Sequence, residues 1–359
     1  MSSDRVLNAA VLGATGTVGQ RFIVLLSKNP MFRIHSLGAS ERSAGKPYSQ
    51  ATKWKVGDLM PNEVRDIQVK NCDPAHYAGC DVIFSGLDAS VAGDIEKAFI
   101  EADFAVFSNA RNYRMQPNVP LCVPVVNTDH YKLIAAQRSA MGLKKGFIVT
   151  NSNCSTSGIV VPLKALQDRF GPLKRAIVTT MQAVSGAGYP GVPSLDILDN
   201  VVPFVPGEEP KMEAEVLKIL GGVSEDASVC APLDELRISA TCNRVPVIDG
   251  HTECVSLEFA NAPPSIEEIK QCLREYTCEA QEIGCFSAPK HVIYVAEEED
   301  RPQPRLDRNA GEGMSVTVGR IRECSVFHVK FTLLVHNTIL GAAGASILNA
   351  EYAAKKGFI

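Results

Sequence analysis

The chain has 359 residues, enough for two domains, and its 45% apolar and 21% charged residues are the balance of an ordinary globular protein. A formal net charge of -4 gives no electrostatic case for nucleic acid or an acidic membrane as partner. No apolar run reaches the roughly 18 residues of a membrane span, and the start, MSSDRVLNAAVLG, lacks the basic and apolar regions of a secretory signal, so the expected compartment is the cytoplasm.

The mostly apolar run Arg5 to Leu12 predicts a first strand. GATGTVG, Gly13 to Gly19, follows as a turn, and Val18, Phe22, Leu25 and Leu26 then share one face of a helix. A second strand, Phe32 to Ala39, closes a β-α-β unit. Asp81 to Ser85, Phe104 to Phe107 and Phe147 to Thr150 are further short apolar strands, with a helix over Ala89 to Ala102. This alternation predicts an α/β fold whose first domain is a Rossmann-type, doubly wound parallel sheet.

After Cys154 the pattern changes. In Thr252 to Phe259 the residues Val255, Leu257 and Phe259 form one apolar face, and Ser325 to Leu334 alternates with Phe327, Val329, Phe331 and Leu333 on one side. Strands with one covered face predict a mixed or antiparallel sheet, hence a C-terminal α+β domain. The tail, Ile339 to Lys356, reads as a helix whose small residues, among them Gly341 and Gly344, allow it to pack closely against the first domain. The expected division is residues 1–153 with 336–359 in one domain and 154–335 in the other. Gly188 to Lys211 and Glu297 to Gly313 read as long loops, of the length that usually carries function.

Two segments point to a dinucleotide. GATGTVG fits Gly-x-x-Gly-x-x-Gly, in which glycine lets a pyrophosphate approach a helix N-terminus; Gly13, Thr15, Gly16, Thr17 and Val18 are the expected contacts. At the end of the second strand, where an acid would bind the ribose of NAD, GASERSAGK offers Ser40, Arg42 and Ser43, with Lys46 nearby. These suit a 2′-phosphate and favour NADP, although Glu41 is a competing ribose ligand.

The chemistry is expected at Cys154, in FIVTNSNCSTSGIVVPL. The eleven cysteines show no Cys-x-x-Cys pair and no zinc-like spacing, so no metal is expected. Cys154 stands at a predicted helix start, where the dipole lowers a thiol pKa and backbone N–H groups can hold an oxyanion. Its small polar neighbours argue against burial, and Pro162 is expected to kink the helix. A thiolate needs a base, and His251, in VIDGHTECV at a strand start, has a setting that the other six histidines lack. Seven residues earlier Arg244 offers a two-pronged fork for a carboxylate.

Asn153-Cys154, MQAVSGAG with Gln182, and the pair Arg244 and His251 together resemble the aspartate-semialdehyde dehydrogenases. The likeness runs from GATGTVG to NTILGAAG and is nearer the archaeal and fungal branch than the typical bacterial one. It implies that Cys154 is the nucleophile, that Gln182 orients the bound intermediate and that His251 is the acid/base. Arg244 would clamp the substrate carboxylate. In PGEEPK, Glu208 or Glu209 would meet the substrate ammonium, the spacing to Lys211 favouring Glu208. Lys211 and Arg114 would hold phosphate, with Asn109 nearby. Ser85, Gly86 and Leu87 would line the nucleotide groove, Ser185, Gly186 and Gly188 would lie near the nicotinamide, and Asn337 and Thr338 would touch the cofactor before the last helix.

The implied reaction is the reversible, NADP-dependent reductive dephosphorylation of L-4-aspartyl phosphate to L-aspartate 4-semialdehyde and phosphate through a Cys154 thioester, feeding lysine, methionine and threonine synthesis. The implied assembly is a homodimer or homotetramer. N-acetyl-glutamyl-phosphate reductases and malonyl-CoA reductases share this build, but Glu208 followed by Lys211 favours the aspartyl substrate. A dinucleotide-sensing regulator without catalysis fits poorly with an intact Cys154, Gln182, Arg244 and His251.

Overall fold

A computed structural model describes residues 5–359, so residues 1–4, the first residues of the expected N-terminal domain and of the segment read for a secretory signal, lie outside the described residues. Six strands form a wholly parallel sheet: β1 (Leu7–Leu12), β2 (Phe32–Gly38), β3 (Val69–Lys70), β4 (Val82–Ser85), β5 (Ala105–Ser108) and β6 (Phe147–Thr150). Their order, β3-β2-β1-β4-β5-β6, reverses between β1 and β4. At such a reversal the connections leave in opposite directions and open a crevice at the C-terminal strand ends. Both faces are covered, which is why these strands read as nearly continuous apolar runs. Ala9, Val11, Phe84 and Phe107 share a core with Phe22 of helix α1 (Thr17–Leu26) and Ile347 of the last helix. Ala10, Leu12, Ile83 and Val106 pack on the opposite face with Phe99 of α2 (Ala89–Glu101).

The second sheet is mixed. Its strands are β7 (Leu173–Gln182), β8 (Arg237–Arg244), β9 (His251–Phe259), β10 (Ile293–Val295), β11 (Val316–Glu323) and β12 (Val329–Val335), in the order β8-β7-β9-β12-β11-β10. β7 pairs parallel with β8 and antiparallel with β9. One face is covered by α3 (Cys154–Phe170), which runs directly out of the turn after β6 and so joins the two sheets. The other face leaves Ile177 and Cys254 exposed. The expected kink at Pro162 does not divide α3, which stays one helix over all 17 residues. Buried Ile159, Val160, Val161 and Leu163 clamp it on the sheet around the proline.

Several elements differ from the sequence reading. Ser325 to His328 form the turn before β12 rather than its first half, so the alternation there overran the strand. The stretch Gly188 to Lys211 is not all loop: Glu208 opens helix α4 (Glu208–Leu220), whose first turn carries Glu208 and Glu209, acids favoured by the helix dipole there. The Glu297 to Gly313 stretch likewise holds two short helical turns, Pro304–Asp307 and Ala310–Gly313. β7 and β8 gave no strand signal because LKRAIVTTMQ and RISATCNR mix polar residues into both faces. The tail opens as a distorted turn, Ile339–Ala343, before α5 (Gly344–Lys355) packs on α1 and the parallel sheet. No helix among the described residues is long and apolar enough to cross a membrane.

Candidate active site

Cys154 is the first residue of α3. The preceding Asn153 is its N-cap, with Oδ1 accepting from the N–H groups of Ser155 (3.0 Å) and Thr156 (3.2 Å). Such a cap satisfies donors that a helix start otherwise leaves open. From the other side the turn before α5 presses on Cys154. A Cβ added to Gly341 would lie 2.9 Å from Cys154 Cβ, so only glycine fits there. Across the second sheet, His251 at the start of β9 places Nε2 3.1 Å from Cys154 Sγ.

The other ring nitrogen decides the state of His251. Nδ1 accepts the backbone N–H of Ala183 at 3.0 Å. A backbone N–H can only donate, so Nδ1 carries the lone pair and the neutral ring holds its proton on Nε2, directed at Sγ. Burial, with Arg244 adding to it, pushes the ring down to about 3, so it is neutral across the physiological range. The thiol differs from expectation. Burial and then the Glu208 carboxylate push Cys154 up to about 12, against Arg244, Arg114 and Lys211, which pull it down. Burial outweighs those three cations because the site is shielded from water. The carbonyl of the same residue, Ala183, accepts a hydrogen bond from Arg244 NH1 at 2.7 Å, so the backbone of one residue holds both the histidine and the arginine.

Gln182 ends β7 beside these groups and donates from Nε2 to Glu208 Oε2 at 3.2 Å. Asn153 Nδ2 donates to the same oxygen at 2.6 Å, and Lys211 pairs with Glu208 one helical turn on. Burial alone would raise the Glu208 carboxyl, but Lys211, Asn153 and Gln182 together hold it below its ordinary value. Glu209 instead accepts the backbone N–H of Cys242 on β8 at 3.0 Å, which leaves Glu208 as the carboxylate of the cluster. Arg114 is buried near Cys154 but already engaged. NH1 pairs with Glu215 at 3.0 Å and NH2 donates to the carbonyl of Asn109 at 2.8 Å. Asn109, just after β5, in turn accepts from Asn151 Nδ2 at 2.7 Å. The sequence reading missed Glu215, Lys218 and Ala183. Lys218 donates to the carbonyls of Arg114, Gln116 and Val119 at 2.7, 2.7 and 2.9 Å, pinning the segment that carries Arg114.

The nucleotide end lies at the β1/β4 crevice. Gly13 has φ 70°, and a Cβ there would fall 2.6 Å from the carbonyl oxygen of Gly86. Gly16 caps α1 without any side-chain hydrogen bond, which leaves first-turn N–H groups, with Thr17 and Val18, open to an anion. Gln20 and Tyr48 brace the turn through the carbonyls of Thr15 and Ala14. Ser85 Oγ is buried without a partner at the end of β4. Ser40 and Arg42 are exposed in the turn after β2, with Ser43 half-buried beside them. Asn337 donates to Ser185 Oγ and accepts from Gly250 N–H, both at 2.8 Å, which brings Ser185 and Asn337 together. Thr338 Oγ1 lies 3.4 Å from His336 Nδ1. Gly186 lies against Arg244 and His251, whereas Gly188, at φ 70°, faces open space. These residues fit a dinucleotide running from the glycine turn toward Cys154.

Residues 8–134 match the model of the semialdehyde dehydrogenase NAD binding domain and residues 163–340 that of the semialdehyde dehydrogenase dimerisation domain. The aspartate-semialdehyde dehydrogenase of Schizosaccharomyces pombe is 58% identical over 99% of both chains. The chain belongs to the aspartate-semialdehyde dehydrogenase family. A crystal structure of the Candida albicans aspartate-semialdehyde dehydrogenase with NADP superposes at a TM-score of 0.92, with 55% identity over 99% of this chain and 100% of that one. The archaeal aspartate-semialdehyde dehydrogenase of Archaeoglobus fulgidus is 49% identical over 98% of this chain and 99% of its own, whereas a Vibrio cholerae aspartate-semialdehyde dehydrogenase II structure shares 26% over 98% of this chain and 99% of that one, at a TM-score of 0.74. Full-length likeness to aspartate-semialdehyde dehydrogenases favours that reading over the N-acetyl-glutamyl-phosphate and malonyl-CoA reductases.

Proposed function

We propose that the protein catalyses the reversible, NADP-dependent conversion of L-4-aspartyl phosphate to L-aspartate 4-semialdehyde and phosphate. The observation that carries this is the 3.1 Å approach of Cys154 Sγ to His251 Nε2, ringed by Gln182, Glu208, Lys211 and Arg244. Arg244 takes the substrate carboxylate as a fork and Glu208 its ammonium. Lys211 and Arg114 face the phosphoryl group. Cys154 attacks the acyl carbon, and the thiol proton is matched by the one the departing phosphate requires, leaving a thioester. NADPH, when bound, supplies hydride to that thioester. His251 Nε2–H then donates to the oxygen as it becomes negative, in place of Sγ. Collapse of the tetrahedral adduct expels the Cys154 thiolate, which regains a proton from solvent. Gln182 holds the acyl group between these partners.

In this reading residues 1–153 and 336–359 bind the nucleotide and residues 154–335 supply catalysis and the subunit contact of a homodimer or homotetramer. The eleven free cysteines fit a cytoplasmic, reducing setting. Lysine, methionine and threonine synthesis is the expected context. The test is NADPH formation from aspartate semialdehyde, followed by absorbance with and without phosphate. Phosphate-dependent turnover that Cys154→Ser abolishes, while NADP binding persists, supports the proposal. Activity of the serine variant within about tenfold of the parent would remove Cys154 as nucleophile, because serine lacks a positioned base here.

A further inference from the structure

Glu215 lies two turns after Glu208 on α4, is 2% exposed, and has both carboxylate oxygens engaged by functional segments. Oε1 pairs with Arg114 NH1 at 3.0 Å, and Oε2 accepts the backbone N–H of Asn153 at 2.5 Å. Arg114 belongs to the segment after β5, and Asn153 is the residue before the nucleophile. A buried carboxylate costs several kcal/mol of desolvation unless charge and hydrogen bonds repay it. Here both hydrogen-bonding partners are the candidate phosphate ligand and the nucleophile's cap, and the nearby Lys218 charge adds to them. Asn153 is also held by Glu208 through Nδ2, by its own capping bonds and by the Ser152 and Ser157 hydroxyls on its carbonyl, each at 3.2 Å. From α4, two carboxylates of one helix grip the turn that presents Cys154, Glu208 on the Asn153 side chain and Glu215 on its backbone N–H. Arg114 keeps donor capacity beyond its bonds to Glu215 and Asn109: Nε is buried without a partner. An anion drawing on the guanidinium thus acts on the same carboxylate that fixes Asn153.

We propose that Glu215 is a positioning residue that couples phosphate binding at Arg114 to the placement and reactivity of Cys154. The inference rests on the reading of Arg114 as a phosphate ligand. In this arrangement Glu215 aims the guanidinium and, through Asn153, sets where Sγ stands when phosphate arrives or leaves. Lys218, one turn further on, anchors the backbone of the Arg114 segment through three carbonyls and makes no hydrogen bond to Asn153.

The test compares the full-length wild type with Glu215→Gln, Glu215→Asp and Arg114→Ala. Two quantities are read: the KM for inorganic phosphate in the oxidative assay, and the rate at which iodoacetamide alkylates Cys154 with and without phosphate. In Glu215→Gln the amide oxygen still accepts from Asn153 while its NH₂ meets Arg114 donor to donor. The phosphate KM is expected to rise about tenfold or more, the scale of one lost charge-assisted hydrogen bond, with kcat for the folded fraction within about threefold. Phosphate should change the alkylation rate of the wild type and no longer change that of Glu215→Gln. Glu215→Asp keeps the charge but not the reach to both partners, so an intermediate phosphate KM is expected; it decides the matter if the glutamine variant does not fold. A phosphate KM within about twofold of wild type in the variant that decides, with Arg114→Ala strongly impaired for phosphate, overturns the role of Glu215 and leaves Arg114 as ligand. An unchanged phosphate KM in Arg114→Ala removes the underlying reading itself and the coupling with it. A purely structural role would lower thermal stability and active fraction while leaving the phosphate KM and the phosphate effect on alkylation unmoved.

Discussion

Replacing His251 by Gln, Asn and Ala separates a hydrogen-bond donor from a proton acceptor. The ring is fully buried, its Nδ1 is taken by Ala183 N–H, and its Nε2 lies 3.1 Å from Sγ. Glutamine can place an amide N–H near the Nε2 position, whereas asparagine reaches only as far as Nδ1. Loss of one donor to a developing oxyanion typically costs ~10²–10³ in kcat, or ~2.7–4 kcal/mol. His251→Asn and His251→Ala should therefore fall by that amount in single-turnover reduction, and His251→Gln should retain activity within about tenfold to thirtyfold of wild type. The pH dependence gives a second reading. Because burial holds the ring down to about 3, it is neutral at every pH well above that value, and wild-type kcat should show no inflection near the ordinary histidine value of about 6.5. A glutamine variant no better than alanine would refute the donor role. So would a wild-type profile that bends near that pH and straightens in His251→Gln.

Lys211→Ala should raise the KM for phosphate more than for the semialdehyde. Arg244→Lys should mainly impair semialdehyde use, since two parallel hydrogen bonds become one; a crossed pattern in steady-state kinetics would reverse the proposed substrate orientation. Arg42→Ala should weaken NADP binding far more than NAD binding by titration, and equal losses would make Arg42 structural. Glu253 is fully buried on β9 with neither carboxylate oxygen partnered, and burial raises it well above the ordinary carboxyl value. The folded protein keeps that proton while the unfolded chain loses it, so this contribution to stability is full below about pH 4.5 and is lost as pH rises toward the folded value. Glu253→Gln should therefore unfold at a higher temperature than wild type at pH 8, with the difference shrinking toward pH 4. A pH-independent difference in thermal unfolding would mean that Glu253 is not protonated in the fold.

The sequence by itself determined the features whose causes are local. Glycines at 13, 16 and 19 announce a turn onto a helix, because each spot lacks room for a Cβ or needs the backbone left bare. Asn153-Cys154 announces a capped helix start, and alternation in β9 announces a sheet with one covered face. Only the tertiary structure decided the partners and charge states. Glu208, Lys211, Glu215 and Lys218 recur at spacings of three and four, a stripe that read along the chain resembles a solvated helix face. The fold instead buries most of it against α3, β8 and the segment after β5, and Lys218 and Glu215 meet backbone groups about a hundred and about sixty residues away. The same enclosure separates Glu208 from Glu209 and raises the thiol that a helix N-terminus alone would lower. Ala183 fixes the tautomer of His251 through a backbone N–H, which almost every residue possesses, so no side-chain pattern could have marked it. Turns, caps and periodicity depend on neighbours in the chain; desolvation and hydrogen-bond partnership depend on what the completed fold brings alongside.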